Sequence, residues 1–397
     1  LGLLSYEWNW RYINYSRDSF AAGKNIIDAM LKVANLSFFL VMGFLWKSAA
    51  LFSKVASVFP VDFHGVPFAD EQGIILSIKN VSIDSIDNPY NAALIQEKNG
   101  EYLLVFRYDK KEGGALKHNY MACVELDKQL KQKGSIKKLD TLSDFSNDPR
   151  VFRVGSQLFV VYNDIPNANA EGRIMKMAEL HPSNFQLKGM TSLDRKIKKT
   201  EKNWVPFTYQ QGGKEEVYFL YTINPYNVLK WDKQQGLQEV SWDLPCIDFP
   251  WVWGEPRGGT PAELVDGEYL TFFHSSFVDR NRKRWYVMGA FMFESKPPFR
   301  VTAVSPYPFL FKGIYSSPHA AGSSSRLRCI FPSGLVLEGK DKILVSCGEN
   351  DAAVKIITFD KRALLNSLIK VSPCFFLQPS IYPFHLKGTH EPIQLNF

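Results

Sequence analysis

Cysteine is scarce in this chain of 397 residues: there are five, Cys123, Cys246, Cys329, Cys347 and Cys374, widely scattered. None is spaced from another as metal ligands are, and the odd count argues against a full disulfide framework, so reduced, buried thiols are expected. The seven histidines form no HxxxH or HExxH pattern, and no metal is called for. Charge of one sign is also lacking, since a net +7 is modest for this length. The densest basic run, DRKIKKTEK at 194–202, has no interleaved aromatics and reads as a solvated loop, not a nucleic-acid surface. Anionic ligands stay open. Beyond about residue 85 no convincing amphipathic helix is present.

Long apolar runs are nearly absent too. The nearest, Val33–Trp46, has signal-core length, with Lys32 before it and small residues after it. It is shorter than the roughly 20 residues a spanning helix needs, though Ala49–Val58 could prolong a tilted span. Residues 1–60 are expected to be an extension in which Met30 opens a secretory or anchoring helix, with a packing helix as the alternative. Residues 33–58 would then give export or membrane association; otherwise the chain would be cytoplasmic.

Aromatics are abundant, with 30 Phe, 17 Tyr and 9 Trp, which favours β structure and suits surfaces that stack on sugars. One unit recurs five times: a polar turn, a short apolar strand, then a polar residue or glycine at the strand end. The instances are NGEYLLVFR ending at Arg107, GSQLFVVYN at Asn163, GKEEVYFLYT at Thr222, DGEYLTFFH at His274 and KDKILVSCG at Gly348. Their ends are 56, 59, 52 and 74 residues apart. Such spacing predicts an all-β fold, a five-bladed β-propeller over 61–397, with a β-sandwich as the competitor. In a propeller those strand ends converge near the axis, and converging polar groups in a concavity make a binding site. The stretch SNDPRVF at 146–152 fits this frame: Pro149 belongs at a strand start or edge, so Asp148 is presented from a stiff position.

In order along the chain, NPYNAALIQEKNGEYLLVFR, NDPRVF, EKNWVPF, RGGTPAELVDGEYLTFFH and FPSGLVLEGKDKILVSCGENDAAVKI resemble glycoside hydrolase family 130. Those enzymes, and a related group of mannosyltransferase/phosphorylases, are five-bladed propellers acting on β-mannosides with inversion. The resemblance spans roughly residues 80–360. It implies that Asp148 is the catalytic acid, a lone buried carboxyl of raised pKa working through a hydroxyl of the mannose. It implies that Asn91, Arg107, Lys202, Asn203, Gly259, Thr260 and Asp351 hold the sugar. Two departures stand out: Asn91-Ala92 before the first repeated strand, and Ser346-Cys347-Gly348 where relatives carry a tyrosine-rich strand. The aromatic wall at that end is either absent or supplied by Trp204, Trp251 or Trp253.

The nucleophile divides the readings. Attack by water needs a second carboxylate as base, for which Glu201, Glu255, Glu263 and Glu349 are candidates. Attack by phosphate needs cations instead, for which Arg150, Arg173, Arg257 and His274 are candidates. The resemblance therefore implies a β-mannoside phosphorylase or hydrolase. The alternatives are a β-mannosyltransferase using an activated mannose donor and a non-catalytic carbohydrate-binding propeller. An oligosaccharide or glycan is the expected partner, with no nucleic acid and no cofactor, and inorganic phosphate is a co-substrate if the reaction is phosphorolysis; relatives of this kind are often homo-oligomers.

Overall fold

The computed structural model describes residues 62–111, 117–165, 172–193, 199–240, 249–319 and 326–371. The expected apolar helix, the 33–58 membrane segment, Cys246 and Cys374 lie outside those residues. Among the described residues no helix is long and apolar enough to cross a membrane.

The fold is all-β and propeller-like. Strands β2 (Tyr90–Gln96), β3 (Tyr102–Lys111), β4 (Lys117–Leu126) and β5 (Gln132–Lys138) form one antiparallel four-stranded sheet in sequence order. β6 (Asn147–Val154), β7 (Gln157–Asp164), β8 (Ile174–Leu180) and β9 (Leu187–Leu193) form a second. A third contains β10 (Val205–Gln211), β11 (Lys214–Thr222), β12 (Asn227–Asp232) and β13 (Gly236–Glu239). The rest joins one ten-stranded sheet. In it β14 (Arg257–Gly258), β15 (Glu263–Val265), β16 (Glu268–Val278), β17 (Arg284–Glu294) and β18 (Val301–Val304) form one run. β19 (Leu327–Glu338), β20 (Lys342–Glu349) and β21 (Ala353–Asp360) form the other, completed by β1 (Ile75–Val81) from the start of the described chain. A short parallel pairing of β17 with β19 links the two runs.

Burial grades along each sheet. The first strands, β2 and β6, are buried on nearly every residue, whereas the outer strands β5 and β9 are mostly exposed. That is the pattern of strands standing around an axis: inner ones are covered on both faces, outer ones meet water. The apolar core lies in layers between neighbouring sheets. Ala93, Val105 and Cys123 of the first sheet share a layer with Val151 and Val160 of the second. Phe152 and Val161 meet Trp204 and Phe219 of the third. Phe207 and Tyr218 meet Phe273 and Phe293, and Phe272 and Ala290 meet Ile343 and Phe359. Val336, Leu344 and Ile356 then pack on Ala92, Leu94 and Leu104, so the succession returns to the first sheet. Cys123 and Cys347 are free and buried in these layers, and Cys329 is free and buried as well. Helix α1 (Lys361–Ser367) follows β21, capped by the Asp360 carboxylate accepting from the Ala363 N–H at 2.7 Å.

The five repeated sequence units are β3, β7, β11, β16 and β20, each paired directly to the first strand of its run.

Candidate active site

Asp148 and Asn91 owe their positions to the same backbone device. In β6 the register passes from Asn147 opposite Asn163 to Arg150 opposite Val161, leaving Asp148 and Pro149 against one partner residue. In β2 it passes from Tyr90 opposite Arg107 to Ala93 opposite Val105, leaving Asn91 and Ala92 likewise. Both are β-bulges, which re-aim a side chain at the cost of ladder bonds. Pro149 fits there because it has no N–H to offer. Asp148 and Asn91 take left-handed φ values of 53° and 48°, a conformation Asn and Asp tolerate better than other side chains. Asn203 and Asp351 do the same at 65° and 53°.

The two bulges bring their side chains together. Asn91 Nδ2 donates to Asp148 Oδ1 at 2.8 Å, and Arg107 Nη1 donates to the same oxygen at 3.2 Å. Asn163 Nδ2 reaches Asp148 Oδ2 at 3.5 Å. Arg173 sits behind Asn163, giving Nη1 to its Oδ1 at 3.0 Å and to the Phe145 carbonyl at 2.8 Å. Burial alone would raise the Asp148 pKa, but Arg107, the Asn91 amide and Arg150 outweigh it and hold the carboxyl below its usual range. That direction is a correction to the raised pKa expected from sequence: the two groups that bond the carboxylate most closely, Arg107 and Asn91, come from other strands.

Arg150 does not face a ligand. It is fully buried and donates through Nη1 to the Asp148 carbonyl at 3.0 Å, through Nη2 to the Gly258 carbonyl at 3.0 Å and Asn203 Oδ1 at 3.4 Å, and through Nε to the Gly259 carbonyl. It ties the second, third and fourth inner edges together, so it moves from the phosphate set to the scaffold. Gly259 and Thr260 move with it: Thr260 is buried, its hydroxyl accepting from the Phe272 N–H at 3.0 Å. His274 is a buried, neutral imidazole. Burial first, then Arg150 and Arg257, push its pKa well below the ordinary value, so it brings no charge to a phosphate. Its Nδ1 has no hydrogen-bond partner.

The cations that do face solvent are Lys202 and Arg257. They line a 450 Å³ cavity with Asn203, Tyr221, Thr222, Glu255 and Gly258. Lys202 is exposed, yet its surroundings are enclosed enough for desolvation, ahead of repulsion from Arg257, Arg173 and Arg107, to lower its pKa. Arg257 pairs with Glu255 at 3.0 Å. Thr222, at the end of its repeated strand, borders the same cavity. Asp351 is half-buried in the β20–β21 turn, and its charge is felt by Arg107.

The departures in sequence acquire reasons. A Cβ on Gly348 would come within 2.2 Å of Asn91 Oδ1, so no side chain fits there. Ser346 Oγ donates to the Ala92 carbonyl at 2.7 Å and accepts from the Leu94 N–H at 2.9 Å, satisfying groups beside the β2 bulge. Of the tryptophans named, Trp204 is buried but borders the 450 Å³ cavity, Trp253 is buried, and Trp251 is half-buried among Phe273 and Trp253. Sequence reasoning missed Tyr90 and Asp109, which bracket Arg107; the Arg-x-Asp spacing on one strand was the available signal.

The four glutamates offer little to water. Glu349 is buried, accepting from the Tyr315 and Ser317 N–H groups at 2.7 and 2.9 Å and pairing with Lys355 at 3.2 Å. Glu201 is buried and accepts from the Tyr221 hydroxyl at 3.0 Å. Glu255 is 60% exposed and bound to Arg257. Glu263 has a carboxyl raised to about 7 by burial, against the pull of Arg153. It lies in another cavity, of 340 Å³, with Gln96 and Arg153 at the opposite ends of the strands carrying Asn91 and Asp148. Among the described residues no group of three or more His, Cys, Asp or Glu is placed to hold a metal.

No family model matches the chain. Over 120 residues it is 31% identical to beta-mannosyltransferase 2 of Komagataella phaffii, a match covering 29% of this chain and 18% of that protein. Beta-mannosyltransferase 3 of the same yeast is 32% identical over 118 residues, or 29% and 19% of the two chains. The matched region is thus under a fifth of those relatives' length. A mannose phosphorylase from Leishmania mexicana, solved with phosphate, superposes at a TM-score of 0.53 with 13% identity, covering 78% of this chain and 96% of that one. Beta-1,2-mannobiose phosphorylase from Listeria innocua gives 0.53 and 12%, covering 76% and 98%. At these identities the structural likeness is one of fold. Both comparisons lead to mannosyl-transferring proteins, the group the sequence motifs resemble.

Proposed function

We propose that the chain is an inverting mannosyl-transferring enzyme in which residues 61–397 form a five-bladed catalytic propeller. The blade count rests on the β17–β19 junction, which divides the large sheet into two runs, and on the apolar layers that lead from each sheet back to the first. β1 would then close the ring by completing the blade of β19–β21. Its preferred reaction is synthesis: a mannosyl unit carried on phosphate passes to a sugar hydroxyl and becomes β-linked.

What supports this reading is the setting of Asp148, whose Oδ1 accepts from Asn91 and Arg107 at 2.8 and 3.2 Å, contacts that favour the carboxylate over the acid. As the acceptor oxygen bonds to C1, the C1–O bond to phosphate breaks, and the acceptor proton goes to Asp148, directly or through a mannose hydroxyl. A carboxylate below its usual pKa is ready to receive that proton. Phosphorolysis is the same path reversed and begins from the protonated acid. Lys202 and Arg257, with Arg173 nearby, supply positive charge for the departing phosphate. Hydrolysis is disfavoured because three of its four candidate bases are engaged and Glu263 lies in the other cavity. Asn91, Arg107, Asn203 and Asp351 are left to grip the mannose, with paired amide, guanidinium and carboxylate bonds to neighbouring hydroxyls.

The test is a product analysis. The purified chain is given β-mannobiose with either α-mannose 1-phosphate or a nucleoside diphosphate α-mannose, and the anomeric protons are followed by NMR. A new β-mannosyl signal with release of phosphate or nucleotide is expected. Release of free mannose from β-mannobiose without phosphate would establish hydrolysis instead, and sugar binding without any turnover would leave a carbohydrate-binding propeller.

A further inference from the structure

Arg107 is the cation that touches Asp148, and three strands of the first sheet hold it in place. Asp109 follows two residues later on β3 and so shares its face. Asp109 Oδ1 accepts from Arg107 Nε at 3.3 Å and from Asn119 Nδ2 on β4 at 2.8 Å. Asp109 Oδ2 accepts from the Tyr90 hydroxyl on β2 at 2.8 Å. The Tyr90 ring is 2% exposed and lies against the guanidinium, with Arg107 Cζ 4.7 Å from its centroid. Arg107 is thereby fixed at Nε by a carboxylate and on one face by a ring, and its Nη1 is turned to Asp148. The Arg107–Asp148 contact is one bond of 3.2 Å between Nη1 and Oδ1, so a small rotation about the side chain would lose it.

We propose that Asp109 is a positioning residue: with Tyr90 and Asn119 it sets the orientation of Arg107, and through Arg107 it keeps Asp148 ready to take the acceptor proton. This rests on the reading of Asp148 as the base. The other charged or titratable groups around Asp148 are Arg150 on β6, Arg173 before β8, Lys202 before β10, His274 on β16 and Cys329 on β19. Asp351 also acts on Arg107.

The role has a sign that a plain charge effect lacks. Asp109 is itself negative, so neutralising it without movement would lower the Asp148 pKa further. Loss of Arg107 alignment would raise it. The experiment follows the Asp148 carboxyl by carbon-13 NMR in the full chain labelled at aspartate, with the signal assigned by its absence in Asp148→Asn. In Asp109→Asn the Asp148 pKa is expected to move up, with kcat down by roughly ten- to a hundredfold and the KM for the mannosyl donor changed by less than about threefold. Asp109→Glu should recover part of both. A downward or unchanged Asp148 pKa in Asp109→Asn, with kcat intact, would overturn the proposal. If Asp109→Asn does not fold, Tyr90→Phe and Asn119→Ala carry the test, each removing one bond to the same carboxylate; no upward movement in either overturns it equally. An upward movement in a protein that shows no mannosyl transfer would support the positioning role and refute the enzyme reading, so the two fail separately.

Discussion

At Asp148 two opposing effects meet. Burial favours the neutral acid, while Arg107, Asn91 and Arg150 favour the carboxylate and prevail. The transfer rate should consequently persist as pH falls into the range where ordinary carboxylates protonate, and a rate–pH profile with its acid limb above that range would contradict this. The same shift bears on stability. A folded pKa below the unfolded one stabilises the protein above the unfolded pKa, and that contribution is lost as pH falls through the folded value. Urea midpoints across the acid range should accordingly fall less steeply in Asp148→Asn than in the parent. Arg150 shows where sequence reading failed at this scale. Strand alternation would put residues 148 and 150 on one face, but the bulge inserts one residue and changes the parity, so Arg150 turns inward. Arg150→Met would strand the Gly258, Gly259 and Asp148 carbonyls, at a cost of about 3 kcal/mol or more by denaturant unfolding.

The elements themselves were largely legible. Each repeated unit is a strand paired to the first strand of its run, and the residues chosen at their ends, Arg107 and Asn163, do meet Asp148. Thr222 gives its hydroxyl to the Pro225 carbonyl at 2.5 Å and borders the cavity that holds Lys202 and Arg257. What the repeats could not show is how closely the inner strands approach one another. Cβ atoms on Gly348 and Gly258 would lie 2.2 Å from Asn91 Oδ1 and the Asn203 carbonyl respectively, contacts that only a folded arrangement reveals. Gly348→Ala should therefore displace Asn91, costing roughly 1–3 kcal/mol of stability together with a loss of transfer activity. Unchanged thermal stability in that variant would contradict the packing described.

For the whole molecule the informative contact is between its ends. β1, Ile75–Val81, pairs with β21 over Lys355–Phe359 and neighbouring residues, joining segments nearly 280 positions apart. Nothing in the sequence of β1 announces that partner, since pairing across such a distance leaves no local pattern. Removal of residues 62–81 should expose the β21 edge and lower the thermal midpoint, and an unaltered unfolding transition would refute the closure. Asp148, Arg107, Asn203 and Asp351 come from different sheets or the segments beside them, so their mutual placement is only as firm as the packing between sheets. The most direct test of the account is the rate of mannosyl transfer by Asp148→Asn, with folding verified by the same unfolding curve. Loss of transfer by roughly a hundredfold or more is the expected result, the scale of a missing proton-transfer group; an intact rate would show that Asp148 is not the base.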